Sequence, residues 1–87
     1  MSDYEHNSEK FGYINLEDFD GVQTALNHLG FDAGEADGKD GPHTQKAVRE
    51  FQAQASIAID GIVGPNTRQS LLDALAAKAE EEPAAAT

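Results

Sequence analysis

Three apolar stripes at helical spacing organise the middle of the chain. Val22, Leu26 and Leu29 fall at i, i+4, i+7 with Ala25 beside them, and Gly30 follows where a left-handed cap residue would sit. This predicts a first helix over about Gly21 to Leu29, with Asp20 as its N-cap. Ala47, Val48, Phe51 and Ala55 mark a second helix that begins at Pro42 and fades near Ser56. Leu71, Leu72 and Leu75 mark a third that begins at Pro65. Between the second and third, Ile57, Ile59, Ile62 and Val63 are too few for more than an extended linker or a two-residue bridge, and the isoleucines are expected to plug the bundle, with Phe31 doing likewise. The fold class predicted is all-α, a small three-helix bundle.

The two later helices are launched by nearly the same phrase. "DGKDGPHTQKAV" (37–48) and "DGIVGPNTRQSL" (60–71) lie 23 positions apart and agree at five of twelve positions. Pro at the first helical position has no N–H to leave unpaired, and its fixed φ suits the helix. Gly41 and Gly64, just before it, are expected to supply a flexible or unusual backbone angle. Thr44 and Thr67 fall in the first turn, where a hydroxyl can satisfy open backbone groups. Asp37 and Asp60, each followed by Gly, read as Asx turns whose carboxylates bind loop amides.

The ends read differently. Residues 1–15 and 78–87 lack apolar periodicity and are rich in acids, Ala and small polar residues, so disordered termini are expected around a domain spanning 16–77. Helix can still continue through Ala76 to Glu82, until Pro83 intervenes. Sixteen acids against six bases give a net charge of −10, which argues against nucleic acid or an anionic membrane surface as partner. No apolar run approaches a membrane span, and "MSDYEHNSEK" is acidic and polar where a secretory signal would be basic and then apolar. Cysteine is absent, so packing and turns must hold this small chain together without disulfides or thiolate metal sites.

"GVQTALNHLGFDAG", "DGKDGPHTQKAVREFQ" and "IDGIVGPNTRQSLL", taken in order, closely resemble the peptidoglycan-binding domain family of three-helix modules found beside bacterial cell-wall hydrolases. The resemblance covers roughly Gly21 to Leu75. It implies a shallow groove bordered by the repeated loops and the adjoining helix starts, with peptidoglycan or muropeptide as ligand. The candidate contacts are Asp37, Gly38, Thr44, Lys46, Asp60, Gly61, Asn66, Thr67 and Arg68, several of which also have structural reasons to be turn and cap residues. Three departures from the family's usual pattern stand out. Asp40 replaces a large apolar residue, Arg68 replaces an aromatic, and Ser56 stands where a glycine often ends helix two. Arg68 could meet a stem-peptide carboxylate bidentately in place of a sugar-stacking ring.

Other chemistry finds little footing. His6, His28 and His43 form no metal-ligand pair on one helix, and no cysteine completes a zinc set. The acidic loop "DAGEADGKDG" resembles a calcium loop in composition, yet Gly38 at the sixth position puts Ala33 at the first and Thr44 at the twelfth, and Gly41 there fares no better. No cofactor is expected. With no nucleophile motif and no cleft to shift a carboxylate pKa, the chain reads as non-enzymatic. The leading expectation is a monomeric wall-binding module that acts at the periplasm or cell wall and targets a partner such as a hydrolase. The alternative is a protein-docking adaptor, or a small component of a phage-tail-like or secretion machine. A third reading makes the chain a piece of a larger exported protein.

Overall fold

The computed structural model describes residues 4–84, with side chains as far as Ala79. Two short strands, β1 (Glu5–Ser8) and β2 (Gly12–Asn15), precede three helices, α1 (Phe19–His28), α2 (Pro42–Gln54) and α3 (Pro65–Ala84). The molecule is mostly helical, but the all-α expectation needs correction by this two-stranded antiparallel sheet. The hairpin lies within the segment read as disordered, and α3 carries the expected tail onward as helix to Ala84. Residues 1–3 and 85–87 lie outside the described residues.

Apolar burial explains the hairpin. Residues 13–16, Tyr-Ile-Asn-Leu, alternate outward and inward, so that Ile14 and Leu16 enter the core at 3% and 0% exposure. Opposite Ile14 in the ladder stands His6, also buried. The Leu16 amide donates to the Tyr4 carbonyl and extends the pairing by one bond. The hairpin packs on α3 and α1. Its approach to α1 is so close that a Cβ at Gly21 would overlap the Asn15 carbonyl oxygen. Helix α1 accordingly starts two residues before the expected point, with Asp18 rather than Asp20 at the N-cap and no side-chain capping bond.

The core joins Ile14, Leu16, Val22, Ala25, Leu26, Ala33, Ala47, Val48, Phe51, Leu71 and Leu75. Phe31 stands edge-on to Phe51 at 5.7 Å and is half-buried. Both α1 and α2 end in the same cap. Gly30 and Phe31 donate back to the carbonyls of Asn27 and Leu26, and Ser56 and Ile57 to those of Ala53 and Gln52. This is a Schellman arrangement in which the residue after the cap is left-handed. Gly30 takes it at φ 94°, and Ser56 takes it at φ 61° despite its side chain.

Candidate functional site

Each repeated loop is held by a glutamine from the preceding helix. Gln23 of α1 is 1% exposed; its Nε2 donates to the Lys39 carbonyl (2.8 Å) and to Thr44 Oγ1 (3.0 Å), and its Oε1 accepts from the Gly38 amide (2.8 Å). Gln52 of α2, fully buried, repeats the pattern. Its Nε2 donates to Asp60 Oδ1 (2.9 Å), the Ile62 carbonyl (3.0 Å) and Thr67 Oγ1 (3.1 Å), while its Oε1 accepts from the amides of Asp60 (3.1 Å) and Gly61 (3.0 Å). A buried amide side chain thus saturates both its donor and acceptor ends, as its desolvation requires. Both glutamines lie inside the stretches that carry the family resemblance, Gln52 as the last residue of Ala-Val-x-x-Phe-Gln, but neither is among the candidate contacts. The signal available was a glutamine placed directly after a core residue, Val22 and Phe51 respectively, where an apolar stripe would leave a polar side chain no water.

The loops themselves are Asx turns. Asp37 Oδ1 accepts from the Lys39 amide and Asp60 Oδ1 from the Ile62 amide, each at 2.9 Å. These amides, and then the glutamine side chains, hold both carboxyls below the usual carboxylate range. The left-handed backbone falls on Gly38 (φ 79°) and Gly61 (φ 73°). Of the flexible or unusual angle expected at Gly41, the unusual one is corrected, because the residue is extended at φ −111°, as a residue before proline prefers. Thr44 and Thr67 accept from the glutamines and donate to the carbonyls of Ala33 and Ile62. Their hydroxyls therefore bind the loops rather than the open amides of their own helices.

The candidate contacts divide between two recesses. One, of about 380 Å³, is lined by Asp37 and Thr44 with Glu35, Lys39, Asp40 and His43. The other, of about 220 Å³, is lined by Asp60, Asn66 and Thr67 with Ile57, Ile62 and Pro65. Gly38, Lys46, Gly61 and Arg68 line neither. The outer face of α2 runs between the loops: Gln45 donates to both Asp40 carboxylate oxygens (2.9 and 2.7 Å), and a Cβ on Gly61 would come within 2.6 Å of Gln45 Oε1 and 3.1 Å of Arg49 Nε. Lys46 is exposed on α2 and Asn66 exposed on α3. Arg68 is half-buried and spends its guanidinium on the carbonyls of Leu16 and Val63, both at 2.8 Å.

Ile59 and Ile62 do not plug the bundle. They are 59% and 66% exposed, because the bonds of Gln52 to Asp60, Gly61 and Ile62 draw the backbone inward and turn the flanking side chains out. Among the described residues no group of three or more His, Asp or Glu is placed to hold a metal, and no helix is long and apolar enough to cross a membrane.

The family described as "Putative peptidoglycan binding domain" matches residues 15–71, a span that runs from the second strand through both stapled loops into α3. The chain belongs to this family. It is 42% identical over 50 residues to the N-acetylmuramoyl-L-alanine amidase CwlM of Mycobacterium tuberculosis, covering 58% of this chain and 12% of that protein. Spore cortex-lytic enzymes of Bacillus cereus (38% identical) and Oceanobacillus iheyensis (40%) match over 58 residues, 67% of this chain and 22% and 21% of theirs. The chain therefore spans less than a quarter of the length of these relatives. No solved structure gives a significant match. The family match supports peptidoglycan binding.

Proposed function

We propose that the chain is a non-catalytic peptidoglycan-binding module that holds muropeptide along the α2 face between the two stapled loops and so anchors a partner at the cell wall. The observation that carries this reading is the family match, which spans both loops and the helix that joins them. The geometry suits binding. Each loop is fixed by a buried glutamine and an Asx turn, so little conformational freedom is left to lose when a ligand docks. Asp37, Thr44, Asp60, Asn66 and Thr67 border the recesses, and Lys46 and Arg49 offer cationic donors on the exposed face between them. One shallow site of this kind gives weak affinity, which suits a module that raises the local concentration of an attached or associated partner.

Sedimentation with purified sacculi, together with an NMR titration using defined muropeptides, tests the reading. Dose-saturable shifts around residues 37–49 and 60–68, with no glycan or peptide released, are expected. Absence of both sedimentation and shifts overturns it. The exposed Ile59 and Ile62 favour the second reading, a protein-docking adaptor, and a protein partner that protects those two residues while sacculi do not bind would establish it.

A further inference from the structure

The hairpin's outer face carries an exposed aromatic ring, and Tyr13 is placed just before the family match begins. Alternation along the strands sets Glu5, Asn7 and Tyr13 outward. In the register Glu5 faces Asn15 and Asn7 faces Tyr13, so Glu5 and Tyr13 are diagonal neighbours. The Tyr13 hydroxyl donates to Glu5 Oε2 at 2.9 Å, which anchors the far end of a ring that is 59% exposed. That hydrogen bond, then loss of solvent and the charges of Glu5 and Asp18, raise the phenol pKa.

Beside the ring lies a recess of about 200 Å³ between β2 and the start of α1, lined by Tyr13, Asn15, Asp18, Asp20 and Thr24. It is smaller than the ~300 Å³ at which sites for drug-sized ligands begin, and so suits one ring. Asp18 occupies the N-cap without capping, and among the described residues neither its carboxylate nor that of Asp20 accepts a hydrogen bond. The Thr24 hydroxyl donates to the Asp20 carbonyl at 2.9 Å, which leaves its oxygen able to accept. No lysine or arginine lines the recess. A carboxylate-bearing peptide would be repelled here, whereas a neutral ligand rich in hydroxyls would find acceptors and an apolar face together.

We propose that Tyr13, Asp18 and Asp20 form a glycan subsite for one uncharged pyranose ring, its C–H face on the Tyr13 ring and its hydroxyls donated to the two carboxylates. The inference rests on the wall-binding reading and gives the hairpin the glycan part of the ligand. The test is an NMR titration of the full chain with tetra-N-acetylchitotetraose, a glycan without stem peptide, run beside sedimentation with intact sacculi. Wild-type shifts should cluster at residues 13–24. Tyr13→Ala should weaken the affinity about ten-fold while Tyr13→Phe stays within about three-fold. An Asp18→Asn/Asp20→Asn double variant, which leaves the hairpin untouched, should also bind more weakly, so the idea stays testable if Tyr13→Ala loosens the strands. Sacculi that sediment while chitotetraose moves no resonance at 13–24, or a double variant that binds as wild type, would overturn the subsite and leave wall binding standing. Failure of both sacculi and chitotetraose to bind would overturn both.

Discussion

Replacing Gln52 with leucine tests whether the glutamine staple holds the second loop. The side chain makes five hydrogen bonds, and leucine of similar volume keeps none of them. Their losses are unequal. The Ile62 carbonyl keeps the Gly64 amide at 3.2 Å, and exposed Asp60 can turn to water, but the Gly61 amide is buried and is left without an acceptor. That stranded donor costs about 1–3 kcal/mol, and the other bonds about 0.5–1.5 kcal/mol each. The transfer gain of a buried leucine offsets about 1.5–3 kcal/mol of this. The net expected loss is about 3 kcal/mol, a large share of the stability of a domain this size. Urea unfolding followed by far-UV circular dichroism should show the midpoint lowered by about 3 M, taking a slope near the ~1 kcal/mol/M of small domains. Gln54→Leu, on the exposed side of the same turn, serves as the control and should be nearly neutral. Gln23→Leu should fall between them, since the amide it strands, Gly38, belongs to an exposed residue. A Gln52→Leu loss below ~1 kcal/mol, or one no larger than that of Gln54→Leu, would refute the staple.

Three further outcomes follow from the geometry. Ser56→Gly should stabilise the protein by about 0.5–1 kcal/mol, because glycine relieves a left-handed φ of 61°, and thermal unfolding should shift upward by about 3–6 °C. Gly21→Ala should destabilise by about 1–3 kcal/mol and release the hairpin, seen as faster hydrogen exchange at Ile14 and Leu16, because the new methyl would collide with the Asn15 carbonyl. Acid should unfold the protein in two stages. Burial, and then the nearby His28, hold His6 below the ordinary 6.5, so its contribution is complete above that value and is lost as pH falls through the folded pKa. Asp37 and Asp60 are also depressed, so theirs is complete above the ordinary carboxylate value and is lost at lower pH still. In a pH series of urea midpoints, His6→Gln should remove only the upper stage; an unchanged upper stage would exclude His6 as its source.

The helices were legible because their apolar stripes are long enough to show a period. Val22, Ala25 and Leu26, then Ala47, Val48 and Phe51, then Leu71 and Leu75 are all in the core. The hairpin was not legible, because its buried side contributes few apolar residues and one of its inward positions is a histidine. Four-residue strands give alternation too little length to stand out from a polar segment. Of the loops, the Asx turns were readable from Asp-Gly, whose chemistry is local. Each glutamine that fastens a loop lies 14 or 8 residues before its aspartate, a pairing that only the folded chain brings together. The same holds for Arg68, whose carbonyl partner at Leu16 is 52 residues away.

That difference between 14 and 8 residues also says how one device yields two unlike surfaces. The staple, the Asx turn, the left-handed glycine and the threonine are common to both loops, so their backbone is fixed in the same way. Gln23 sits five residues before the end of α1 and Gln52 two before the end of α2, so half of that difference is helix. Between helix end and Asx turn the first loop places residues 29–36 where the second places 55–59. The longer stretch buries Ala33 as an anchor and leaves Glu35 on the rim of the larger recess, whereas the shorter second loop puts Ile57 and Ile62 around a smaller one. The first rim is therefore rich in charge, with Glu35, Lys39, Asp40 and His43, and the second is largely apolar and amide. Substitutions on the rims should then alter what is bound with little effect on stability, while substitutions in the staples should lower stability and binding together. Paired measurements on Lys39→Ala and Gln52→Leu would separate the two, since the loops' shape comes from the repeated residues and their selectivity from those that differ.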